Sequence, residues 1–114
     1  MGVNATYYLM VGVDIGYDED NDNQYDELED LMNDANGELF CAFDGMSGKY
    51  VIVGKVLSNA EDIYNDMEII SLTPKQLSDM CLSIKNKLYE KFDKEYEPTL
   101  LSFVHYTWIA QLKL

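Results

Sequence analysis

The sequence predicts an α+β domain, on three observations. Apolar residues make up 47% of the 114 and aromatics 12%, enough for one core in a single domain spanning residues 1–114. Runs rich in β-branched and aromatic residues alternate with two stretches of 3.6-residue apolar period, in the order β-α-β-β-α-β. Turn-forming and helix-capping residues stand at most of the joins.

Residues 4–16, NATYYLMVGVDIG, are apolar on both faces, and Val11, Val13 and Ile15 add β-branches, as a central covered strand requires. From Asn23 a helix is predicted, because Tyr25, Leu28, Leu31, Met32 and Ala35 share one stripe and Asn36-Gly37 is a good stop. GELFCAF and KYVIVGKVL flank the turn-former DGMSG, so residues 38–57 are read as a hairpin. Residues 58–72, SNAEDIYNDMEIISL, leave strand and short helical turn both open. TPKQ at 73–76 is a helix start: Thr73 caps, Pro74 suits the first position and Gln76 closes a capping box. Leu77, Met80, Cys81, Ile84, Leu88 and Phe92 then keep helical period to about Lys94. After Pro98, residues 99–112 read as a last strand, with a helix the alternative. This is the ferredoxin-like order, an antiparallel sheet with two helices on one face.

Charge is the most informative feature. The net charge is −13, and there is no arginine. Residues 1–48 hold twelve acids and no lysine, whereas residues 49–114 hold nine acids against eight lysines. Such a chain repels nucleic acid, whose binders need a basic patch. It suits a cation or a basic protein surface instead. No apolar run approaches the length of a membrane helix. Cys41 and Cys81 sit among apolar residues with no secretory leader ahead of them, and are read as reduced core thiols of a cytoplasmic protein. The sequence leaves a homodimer open.

Residues 18–29, DEDNDNQYDELE, carry seven carboxylates in twelve residues. Counted from Asp18 as the first position, Asp20, Asp22, Gln24, Asp26 and Glu29 fall at the third, fifth, seventh, ninth and twelfth positions of a calcium loop. Asn23 takes the turn position that glycine usually holds, so Asp18, Asp20, Asp22, Gln24 and Glu29 are candidate calcium ligands. No other cofactor is indicated.

The same acids admit a second reading, which the charge favours. Asp26, Glu27, Glu29, Asp30 and Asp34 lie off the apolar stripe of the predicted helix, and Asp18, Glu19, Asp20 and Asp22 lead into it. Together these nine make a negative ridge that a basic nucleic-acid-binding protein would attract. Small acidic proteins of this kind resemble the DNA-mimic inhibitors that phages use against host defence, and a lysine-only cation set suits an A+T-rich phage genome. Residues 61–72, EDIYNDMEIISL, are similar to the acidic closing segment of a phage anti-CRISPR protein that blocks the PAM-reading site of an RNA-guided nuclease. That resemblance implies a non-enzymatic inhibitor in the host cytoplasm, bound to a basic nucleic-acid-binding protein and to neither nucleic acid nor membrane. The plainest alternative is that the acids only keep the surface solvated.

An enzymatic reading rests on other residues. YYLMVGVDI at 7–15 resembles the first strand of the small ferredoxin-like nucleases of CRISPR adaptation, in which an aspartate near the strand end binds metal. It would assign that role to Asp14, with Asp44 as its partner. His105, the only histidine, stands in a strand-like aromatic run and is read as a packed or edge residue. Tyr17, Tyr25, Tyr64, Tyr89, Tyr96, Tyr106 and Trp108 cannot all be core in a domain of this size, and some are expected on the surface, where tyrosine and tryptophan favour interfaces.

Overall fold

A computed structural model describes residues 2–36, 38–44, 49–60 and 69–109, the first three and last three of these in backbone only. The elements are β1 (Gly2–Asp14), α1 (Gln24–Asp34), β2 (Phe40–Phe43), β3 (Val51–Ala60), α2 (Pro74–Phe92) and β4 (Thr99–Ile109). The expected class and element order hold. Residues 99–109 are strand and not helix, and residues 58–60 continue β3, while residues 61–68 of the segment left open lie outside the described residues. Gly37, residues 45–48 of the expected turn, most of the 61–72 segment and the side chain of Trp108 lie outside the described residues.

The four strands form one antiparallel sheet in the order β2-β3-β1-β4. β1 and β2 both run antiparallel to β3 and so run parallel to each other with β3 between them. By the same logic β3 and β4 flank β1. Each pair is joined through a helix, which gives two interlocked split β-α-β units.

Both helices pack on one face of this sheet. Val11, Cys41, Val51 and Val53 point to that face and meet Leu28 and Leu31 of α1 and Ile84 and Leu88 of α2. Alternation along the strands accounts for the set, since every second residue of a strand shares a face. α2 starts as its sequence dictates. Thr73 Oγ1 accepts from the Gln76 amide at 3.1 Å, and Gln76 Oε1 accepts from the Thr73 amide at 2.9 Å. It ends at Asp93, which takes a left-handed conformation. Cys41 is buried and Cys81 half-buried, both as free thiols, and burial pushes the Cys41 thiol up to about 12.

The other face carries no helix. Met10, Ala42 and Ile52 are buried there beneath Tyr8, Phe40, Tyr50, Leu101 and Phe103. Tyr8 stacks on Phe40 and on Phe103, with ring centroids 5.1 and 5.2 Å apart. Tyr50 Oη lies 2.8 Å from His105 Nδ1. By register, Ile52 is opposite Asp14 while His105 is opposite Thr6, so the two rings belong to levels at least eight residues apart along β1. In a flat sheet that is on the order of 25 Å. The hydrogen bond therefore requires the sheet to curl, with its helix-free face concave. Two features permit the curl. A register shift interrupts the β1–β3 ladder between Leu9 and Met10, and such irregularities increase twist. Gly12 faces Gly54 across the same ladder, so closely that a Cβ on Gly12 would sit 3.1 Å from the Gly54 Cα and against the Val53 carbonyl oxygen.

His105 links stability to pH. Its burial lowers its pKa, and the nearby Asp44 carboxylate acts in the opposite direction. A histidine with a depressed folded pKa stabilises the native state above its unfolded value near 6.5, and that contribution is lost as pH falls through the folded value. His105→Gln should therefore flatten the loss of melting temperature between pH 7 and pH 5. The effect should be modest, because the ring is only partly buried. Parallel pH profiles for the two proteins would refute this assignment.

Candidate functional site

The acidic stretch leaves β1, crosses a loop and enters α1. The loop is built from its own short polar side chains. Asp18 Oδ1 accepts from the Asp20 amide at 3.0 Å, and Asn21 Oδ1 accepts from the Asn23 amide at 3.0 Å. These are side-chain turns of the kind that Asp and Asn favour. Asn21 Nδ2 donates to Glu27 Oε1 at 3.2 Å, tying the loop to the first turn of α1.

Gln24 is the internal brace. It is only 6% exposed, its Oε1 accepts from the Asp18 amide at 3.1 Å, and its Nε2 donates to the Gly16 carbonyl at 2.9 Å. Its side-chain amide thus substitutes for backbone partners that the loop lacks, and it is buried because it is satisfied. The calcium alignment makes Gln24 a ligand, whereas its side-chain amide is bonded to the Asp18 amide and the Gly16 carbonyl. It also required a left-handed turn at Asn23, which instead has φ −102° and ψ 6° at the N-terminus of α1. Asp18, Asp20, Asp22 and Glu29 are not drawn together, and among the described residues no three acids, histidines or cysteines converge as a cation would need.

The nine ridge acids divide by exposure. Glu19, Asp20, Asp22, Asp26, Glu29, Asp30 and Asp34 are exposed, while Asp18 and Glu27 are half-buried by their loop bonds. Leu28 and Leu31 turn inward, so Asp26, Glu29, Asp30 and Asp34 form the outer helix face, as the periodicity implied, whereas Glu27, expected beside them, is drawn in toward Asn21. Asp26, Asp30 and Asp34 follow one another at four-residue spacing, a like-charge arrangement that weakens a helix. Asp34 lies at the negative end of the helix dipole, and no basic residue stands in the last turn. The ion pairs among the described residues are Lys75–Asp79, Lys85–Glu97 and Lys87–Glu38, and none uses an acid from Asp18 to Asp34.

Lysines do come near the inner flank of the ridge. A polar cleft of about 420 Å³ between the loop and the end of α2 is lined by Asp18, Gln24 and Glu27 on one side and Lys91 and Lys94 on the other. The outer flank is different. There a groove of about 330 Å³ lies between the loop, α1 and the ends of β2 and β3, bounded by Tyr17, Tyr25 and Tyr50 and by Glu19, Asp22 and Asp44. Tyr17 and Tyr25 are each 58% exposed, and Tyr25 packs against Phe43 with centroids 5.1 Å apart.

Asp14 and Asp44, the metal pair of the nuclease reading, bind backbone amides. Asp14 Oδ1 accepts from Gly16 and Val51 at 2.9 and 3.1 Å, and Asp44 Oδ2 accepts from Lys49 at 3.1 Å. They fasten the ends of β1 and of the β2–β3 hairpin, on strands separated by β3.

Of the aromatic residues expected at the surface, Tyr17, Tyr25, Tyr89 and Tyr106 are exposed, and Tyr96 packs against the core. Tyr64 lies outside the described residues. Tyr50, which lines the groove, carried no signal in the sequence because a hairpin tyrosine reads as ordinary strand. Burial, then the charges of Asp44 and Tyr106, raise its pKa. Among the described residues no helix is long and apolar enough to cross a membrane. No protein-family model, curated protein or solved structure matches the chain.

Proposed function

We propose that this chain is a non-enzymatic inhibitor whose acidic ridge occupies a basic, nucleic-acid-binding surface of another protein. What carries the reading is the state of the α1 face. Its carboxylates are exposed, they repel one another, and no lysine among the described residues forms an ion pair with them. Charges arranged at a cost to their own helix find their compensation in a positive partner. The binding site would comprise Asp18, Glu19, Asp20, Asp22, Asp26, Glu27, Glu29, Asp30 and Asp34. The scaffold is a ferredoxin-like one in this reading, supported by the β-α-β-β-α-β order, the two interlocked split units and the helices on one face. Phage origin, action in the host cytoplasm and a target in CRISPR defence rest on the resemblance at residues 61–72, of which 61–68 lie outside the described residues.

The test is competition. The immobilised protein should retain its partner from bacterial lysate at low salt, release it progressively as salt rises, and release it when double-stranded DNA or structured RNA is added, since both claim one surface. A partner that neither salt nor nucleic acid displaces would overturn the reading.

A further inference from the structure

We infer that the aromatic groove on the outer flank of the ridge receives an arginine side chain of the basic partner. This rests on the ridge reading and adds a point of insertion to it. The ridge supplies long-range attraction only, whereas the groove combines a cavity, aromatic walls and carboxylates. Tyr17, Tyr25 and Tyr50 bound it, and Glu19, Asp22 and Asp44 stand among them. A guanidinium suits this composition on three counts. Its flat face stacks on tyrosine, its edge offers several donors to a carboxylate, and it loses less hydration than an ammonium when it leaves water. At about 330 Å³ the groove has room for one such side chain, and its walls are partly braced. Tyr25 leans on Phe43, and Tyr50 is held through His105 on the concave face. The cation is also placed well by charge, because Lys91 and Lys94 line the inner cleft and not this groove.

The test uses two peptides of equal charge, hexa-arginine and hexa-lysine, titrated into the full chain. Hexa-arginine should bind about two- to five-fold more tightly, the advantage that stacking on exposed aromatic rings provides. Tyr25→Leu and, separately, Tyr17→Leu should erase that advantage while leaving hexa-lysine binding and its salt dependence as they were. Both rings are more than half exposed, so the fold should tolerate either change, and unaltered circular dichroism would confirm that. Equal binding of the two peptides to the wild type, or an arginine preference that survives both substitutions, would overturn the groove assignment and leave the ridge reading intact. Failure of the ridge reading looks different: the salt dependence of both peptides would survive neutralisation of Asp26, Glu29, Asp30 and Asp34, none of which lines the groove.

Discussion

Gly54→Ala should cost about 3 kcal/mol or more, the upper end of what over-packing costs. A Cβ at this position would press on the Val11 carbonyl oxygen and lie 2.5 Å from the Gly12 Cα and 2.9 Å from the Val11 carbonyl carbon. All three are backbone atoms of the neighbouring central strand, so no side chain can rotate away. The β1–β3 ladder must separate at the Gly12–Gly54 pair, and Met10, Val11 and Val53, all fully buried, must shift with it. Gly16→Ala is the control. Nothing lies within 4 Å of its Cβ, but φ is +76°, so only the left-handed penalty of about 1–2 kcal/mol applies. Equilibrium urea unfolding measures both. A Gly54→Ala loss no larger than that of Gly16→Ala would mean that the curl of the sheet does not depend on this glycine pair.

Replacing Asp26, Asp30 and Asp34 with Asn and Glu29 with Gln should slow association with the basic partner by roughly ten- to a hundred-fold at low salt, the size of effect expected when steering charge is removed. Dissociation should change much less, and the salt dependence of the association rate should flatten. Glu27 is left in place because its Oε1 holds Asn21, and its loss would disturb the loop and the charge together. The same variant should be more stable than the wild type by about 1 kcal/mol, since it removes the like-charge pairs of α1 and the acid at its C-terminal end. Stopped-flow association rates across a salt series, with thermal melts of both proteins, decide the matter. Unchanged association would make the acids mere solvated surface and shift attention to the exposed tyrosines.

The elements were legible in the sequence because their signals are local. The Thr73-Pro74-Gln76 start and the Leu77–Phe92 period specify α2 within about twenty residues, and the β-branched runs of β1 and β3 mark strands whatever their partners. The outward face of α1 followed from Leu28 and Leu31 in the same way. What stayed hidden depends on distant pairing or on accounting for backbone polar groups. Gln24 fits a calcium-ligand position by spacing alone, and only the closure of Gly16 and Asp18 around it explains its burial. Tyr50 and His105 are 55 positions apart, and no periodicity reports that a curled sheet brings them together. The groove combines residues from a loop, a helix and a hairpin, so no single window of sequence contains it.

The pairing of Gly2 with Ile109 has a kinetic consequence. β1 is central, but its outer partner β4 is made last, so a nascent chain emerging from the ribosome reaches Phe92 with one edge of β1 still bare. Contacts between such distant parts of the chain raise the contact order and slow folding. A three-stranded intermediate with an exposed apolar edge is also a template for association with its own kind. The twelve acids of residues 1–48 are translated before that edge exists. Charge of one sign on such intermediates opposes their association until β4 pairs with β1.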